Sequence, residues 1–192
     1  MNSGTIYDLI PQEGYEGVTC VNSEDFGRFR ELFNGTPKRD TWEPLRVRRF
    51  VERRSRRPAD FPDMALNDVL VMRTSAVTSL RDMLEAGGEI LPLATDDDVP
   101  LFILNVTRVI DALDLEHSVE RFPDGRIAYL DAPAFHADMV RDVDFFKLPT
   151  LRSNTIFLGE RFVARVRTAK LVGLDFEPVW SPAGGPIRRR LF

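Results

Sequence analysis

At 192 residues, 43% hydrophobic and 29% charged, the chain has the composition of an ordinary globular protein, long enough to bury a core without covalent staples. Its net charge of −4 supplies no bulk attraction for nucleic acid, and no stretch approaches the ~18 apolar residues of a membrane-spanning helix. A lone cysteine, Cys20, excludes an internal disulfide framework and a cysteine-based zinc site, and MNSGTIYDLIPQ lacks the basic-then-apolar pattern of a secretory signal; a cytoplasmic protein is expected.

In chain order, TIYDLI reads as an opening strand and SEDFGRFRELFNG as a helix. Ser23 can cap that helix, Glu24 and Asp25 suit its positive end, Phe26, Phe29 and Phe33 share a face, and Gly35 stops it. WEPLRVRRFVE alternates through Leu45, Val47 and Arg49 as a strand does. RRSRRPADFP, basic and proline-punctuated, reads as an exposed connection. A second helix is predicted over Ser75 to Ala86, with Val77, Leu80 and Leu84 inward and Gly87-Gly88 as its stop.

EILPLA and PLFILNV are short apolar runs separated by the turn TDDDVP, and are expected to be adjacent buried strands. HSVERF, the turn Pro123-Asp124-Gly125 and RIAYL form a hairpin pattern, because proline presets φ and glycine accepts the positive φ that closes the turn. A last helix from Gly159 to Val172 turns Phe162, Val163, Val166 and Ala169 inward and Arg161, Arg165 and Lys170 outward; Gly173 ends it and LDFEPVW returns as a strand. Fourteen phenylalanines against three tyrosines and two tryptophans point to an aromatic core. Without a regular βαβ beat, the pattern predicts an α+β fold: a single domain with a mixed, largely antiparallel sheet and about three helices. The strand-helix-strand part at residues 1–60 is expected to pack on the remainder, 61–192.

Five features invite a functional reading. Asp111, Asp114, His117 and Ser118 suggest a small hydrolase, but adjacent His117 and Ser118 on a strand would point to opposite faces, and there is no GxSxG elbow. Polar residues at a hairpin edge account for them more simply. His117 and His136 lack partners at metal-binding spacing, so no metal or cofactor is expected. The run Arg46, Arg48, Arg49, Arg53, Arg54, Arg56, Arg57 could meet phosphates, yet no aromatic is interleaved among its final arginines, and a strand's solvent side running into a linker explains it. Gly87-Gly88-Glu89 lacks any phosphate-loop pattern. Asp96-Asp97-Asp98 is a charged turn that could hold a cation weakly.

Three short motifs stand in order along the chain: E-x-L-P-L at Glu89 to Leu93, N-V…D-x-L-D…S at Asn105 to Ser118, and G-L-x-F-x-P-V at Gly173 to Val179. Through them the chain, between about residues 60 and 180, resembles a bacterial family of immunity proteins of polymorphic toxin systems, typified by a myxobacterial member and formerly described as a domain of unknown function. It implies a cytoplasmic protein that binds and neutralises a toxin domain encoded beside it, and it brings no catalytic residues. The expectation is therefore a non-enzymatic toxin inhibitor acting by steric occlusion, without specific nucleic-acid or membrane partners. Its partner surface is placed at Asp96, Asp97, Asp98, Asp111, Asp114, Glu116 and His117.

Overall fold

The computed structural model describes residues 4–31, 34–50, 57–64, 69–120, 130–149 and 155–187. The chain begins with β1 (Ile6–Pro11), β2 (Gly17–Cys20), α1 (Asp25–Glu31) and a 3₁₀ turn at Arg39–Thr41. β3 (Arg46–Phe50), β4 (Val71–Arg73), α2 (Thr74–Gly87), β5 (Gly88–Thr95) and β6 (Leu101–Val106) follow. Then come β7 (Val119–Glu120), β8 (Leu130–Ala132), α3 (Ala137–Val140), β9 (Phe145–Phe146), β10 (Phe157–Gly159), α4 (Glu160–Thr168), β11 (Leu174–Ser181) and β12 (Gly185–Pro186).

The fold is α+β and sheet-dominated, and among the described residues its strands divide into two five-stranded sheets and the two-stranded pair β7-β8, where the sequence pattern suggested one sheet. The first has the order β12-β11-β1-β10-β9 and is antiparallel throughout. The second, β2-β3-β5-β6-β4, is mixed, because β3 runs parallel to β5. β1 lies in the middle of a sheet whose other strands are all C-terminal to residue 144. TDDDVP does join two adjacent buried strands: β5 and β6 pair from Gly88↔Val106 to Leu93↔Leu101.

Alternation along the strands sorts side chains between opposite faces. From β6, Leu104 and Val106 join a core with Val77, Leu80 and Leu84 of α2, Phe162, Val163 and Val166 of α4, and Leu158 of β10. Leu101 and Ile103 face the other way, into a cluster with Val18, Phe29, Leu45, Val47, Leu91 and Leu93. A third cluster is aromatic: Phe135 meets Phe146, Phe157 and Trp180 edge-on at centroid distances of 5.6, 5.0 and 5.7 Å. That edge-to-face geometry is the one ring quadrupoles favour, and the phenylalanine excess is spent in the core as expected.

Several local expectations are revised. Among the described residues there are four helices, close to the three expected, and α3 is a single turn. The first helix is described over Asp25–Glu31 and buries Phe29 completely, while Leu32, Phe33 and the Phe26 side chain lie outside the described residues. Gly87-Gly88 does stop α2, which ends at Gly87, but without a left-handed residue. α2 passes directly into β5, with Gly88 extended at φ −168°. Both positions are small because space is short: a Cβ at Gly87 would press on the Phe145 ring and one at Gly88 on the Asn105 carbonyl. α4 ends at Thr168, short of Val172, so Ala169 is exposed, and the chain turns through Gly173 at φ +101°. β7 and β8 pair as the hairpin pattern requires, whereas its turn, Pro123 to Gly125, lies outside the described residues.

Candidate functional site

The acidic turn and the basic strand, read separately in sequence, meet in space. Parallel pairing sets Arg46 beside Ala94 and Val47 beside Thr95, which brings β3's arginines up to the turn that follows β5. Asp96 pairs with Arg46 at 2.8 Å, with both side chains largely exposed. Asp97 accepts from Arg49 Nε at 2.6 Å, and this bond holds its carboxyl below the usual carboxylate range. Asp98 is exposed.

Arg49 shares a strand face with Leu45 and Val47, so its side chain also reaches inward, donating to Glu16 at 3.0 Å. Glu16, 3% exposed, accepts further bonds from Arg73 and from the Ala59 amide at 3.2 Å. A buried carboxylate needs such partners, since leaving it uncompensated would cost several kcal/mol. The strand's arginines are thus not merely a solvated edge. Arg57 stacks over Tyr15 with its guanidinium 4.4 Å from the ring centroid, so an aromatic partner absent from the local sequence arrives from the β1–β2 connection. Arg53, Arg54 and Arg56 lie outside the described residues.

At the other end of β6 the chain leaves the sheet through Val109 to His117. Leu113 forms an isolated bridge with Phe135, and the flanking bonds run from the Asp114 amide to the Ala134 carbonyl and from the His136 amide to the Ala112 carbonyl, each 2.9 Å. Ala112 and Leu113 are buried, Ile110 is half-buried, and Val109 is 41% exposed. Asp114 organises the following turn. Its carboxylate accepts from the Glu116 amide at 3.1 Å and lies 2.8 Å from His117 Nδ1, which keeps the Asp114 carboxyl below its ordinary range. Asp111 and Glu116 are exposed.

His117 and Ser118 do not occupy one strand: His117 sits in the turn, and β7 begins at Val119. Ser118 Oγ donates to the Asp114 carbonyl at 2.6 Å and accepts from the Ala134 amide at 3.1 Å, a structural role that occupies the hydroxyl. His136 stands at the N-terminus of α3, exposed and remote in sequence from the pair. Among the described residues no group of three or more His, Cys, Asp or Glu side chains comes within reach of a common metal ion. Burial pushes the Cys20 thiol up to about 11, far from a reactive thiolate at neutral pH.

Two of the residues that carry the family resemblance also find a physical role. Glu89 and Asn105 are cross-strand neighbours on β5 and β6. Asn105 Nδ2 donates to Glu89 at 2.9 Å and to the Thr36 carbonyl at 3.0 Å, and Glu89 accepts the Lys38 and Arg39 amides at 2.7 and 3.3 Å. Together they clip the segment after α1 onto the sheet.

Part of the chain is similar to a known family. Residues 95–181 match the immunity protein family Imm11. The Imm11 segment holds both acidic stretches, Asp96–Asp98 and Asp111–His117, and two of the three resembling motifs; Glu89 to Leu93 falls just before it, and Arg46–Arg57 lies well outside. No curated protein matches the chain. Among the described residues no helix is long and apolar enough to cross a membrane.

Sequence reasoning missed Glu16 as a buried charge and Arg73 as its partly buried partner. Arg49 falling in phase with Leu45 and Val47 was the available signal, because a charge on a core face requires a partner there. It also missed that Leu115, within the acidic stretch, and Met139 of α3 are exposed apolar side chains.

Proposed function

We propose that this protein is the immunity partner of a bacterial toxin domain: a cytoplasmic, non-enzymatic inhibitor that binds the domain and blocks access to its catalytic cleft. The observation that carries the reading is the match of residues 95–181 to an immunity protein family. The side-chain chemistry is compatible with it. Asp111, Glu116 and Asp98 are exposed carboxylates, suited to a toxin whose cleft is basic because it acts on nucleic acid or nucleotides. Attraction between such surfaces speeds encounter, and buried contacts then govern release.

The hydrolase alternative requires Asp111, Asp114 and His117 to converge in a pocket that excludes water. Instead the His117 side chain is 68% exposed and its partner Asp114 caps a turn. The nucleic-acid alternative loses two of its arginines, since Arg46 and Arg49 are neutralised by Asp96 and Asp97.

The test is co-expression with the toxin domain encoded beside the gene, followed by purification of the pair. Restored growth and a stoichiometric complex are expected. Continued toxicity with no complex would overturn the reading.

A further inference from the structure

Two chain segments on this molecule combine exposed apolar side chains with unbalanced negative charge. Among the described residues four large hydrophobic side chains are exposed, Val109 at 41%, Leu115 at 59%, Met139 at 40% and Ile187 at 38%. Three of these four belong to residues 109–117 and 136–142, segments that meet where the Leu113–Phe135 bridge and its two hydrogen bonds pair residues 112–114 with 134–136. The same two segments carry five acids, Asp111, Asp114, Glu116, Asp138 and Asp142, against one arginine, Arg141. Their charge, three from the first and one net from the second, is −4, as large as that of the whole chain.

The acidic turn at Asp96–Asp98 differs in kind. Two of its three carboxylates are already compensated by Arg46 and Arg49, and the exposed large hydrophobics lie elsewhere. Protein interfaces that bind well have an apolar centre ringed by polar groups, because desolvated apolar contacts supply affinity while the charged rim steers. Between the two acidic stretches, only 109–117 with 136–142 offers both parts. Extended chain from Val109 to Leu115 spans about 20 Å at ~3.3 Å per residue, on the scale of a standard patch of ~800 Å² per partner.

We infer that the edge formed by residues 109–117 and 136–142 is the toxin-docking surface, with Leu115 and Met139 as apolar anchors and Asp111, Glu116 and Asp138 as an acidic rim. The occupant is a toxin domain presenting basic side chains around an apolar recess. This inference rests on the immunity reading and deepens it by choosing between the two acidic stretches. Both segments lie within the part of the chain that matches the immunity family.

The experiment measures binding of the neighbour-encoded toxin domain, inactivated at its catalytic residue, to the full-length protein and three variants by calorimetry and association kinetics. Leu115→Asp with Met139→Asp is expected to weaken binding at least tenfold, with an unchanged melting temperature because both side chains are exposed. Asp111→Lys with Glu116→Lys is expected to slow association severalfold at low salt, converging on wild type at high salt. Ile187→Asp, an equally exposed apolar side chain outside the edge, is expected to bind like wild type. If wild type binds and the two edge variants bind equally well, the assignment of this surface is overturned while the immunity reading stands. If wild type does not bind, both fall together.

Discussion

Glu16 is the residue on which most charge converges. With 3% exposure it joins Arg49 from β3, Arg73 from β4 and the Ala59 amide, and through Arg49 it reaches Asp97. Removing it takes the carboxylate from Arg73 and leaves Arg49 with Asp97 alone, both guanidiniums being partly buried, so Glu16→Ala should cost on the order of 3 kcal/mol. Urea denaturation measures this; an unchanged midpoint would mean that Asp97 and solvent suffice for both arginines.

Glu89 makes a different kind of contribution. Burial alone would raise its carboxyl, but the Lys38 amide, the Asn105 side chain and the Arg39 amide outweigh that and hold it below the ordinary value of 4.5. A carboxyl whose folded pKa is depressed stabilises the protein above its unfolded pKa, and the stabilisation is lost as pH falls through the folded value. The stability difference between wild type and Glu89→Gln should therefore be full near pH 6 and shrink below pH ~4.5, the reference carboxyl value. Melting curves from pH 3 to 6 would show it; a difference independent of pH would mean that the clip does not depend on the charge.

At the scale of elements, the junctions between strands and helices are set by space as much as by conformation. β10 runs into α4 at Gly159, whose φ of −81° any residue can adopt. A Cβ there would collide with the Val143 carbonyl on the segment leading to β9. Overpacking against backbone has few ways to relax, so Gly159→Ala should cost about 1–3 kcal/mol. For a chain of this size that lowers the melting temperature by roughly 2–4 °C per kcal/mol. Scanning calorimetry tests the claim, and an unshifted transition would show that the β9–β10 pair moves aside freely. Local periodicity identified α2 and α4 because their apolar stripes run over several turns. The two-residue β9 and one-turn α3 carry too few residues to establish a period.

At the scale of the whole molecule, chain order and spatial order diverge. β1 pairs with β10 through Ile6 and Tyr7 and with β11 along its length to Pro11. Deleting residues 1–60 would split the first sheet into β12-β11 and β10-β9 and remove β2 and β3 from the second. A 61–192 fragment is accordingly expected to lack cooperative unfolding and a native near-ultraviolet circular dichroism signal. A sharp transition in that fragment would show that the first sixty residues are dispensable to the core.

The sequence by itself determined what depends on neighbours along the chain: the inward stripes Val77-Leu80-Leu84 and Phe162-Val163-Val166, the adjacency of β5 and β6 around TDDDVP, the α+β class, and the immunity-family resemblance. Each rests on a repeat, a turn or a motif a few residues long. Tertiary structure alone decided the rest, because the contacts join residues tens of positions apart: the division into two sheets, Glu16 between Arg49 and Arg73, Asp96 and Asp97 against the arginines of β3, and Val109, Leu115 and Met139 left facing solvent. Pairing and burial are properties of the assembled sheets. A carboxylate in a turn reads the same in sequence whether an arginine meets it or not.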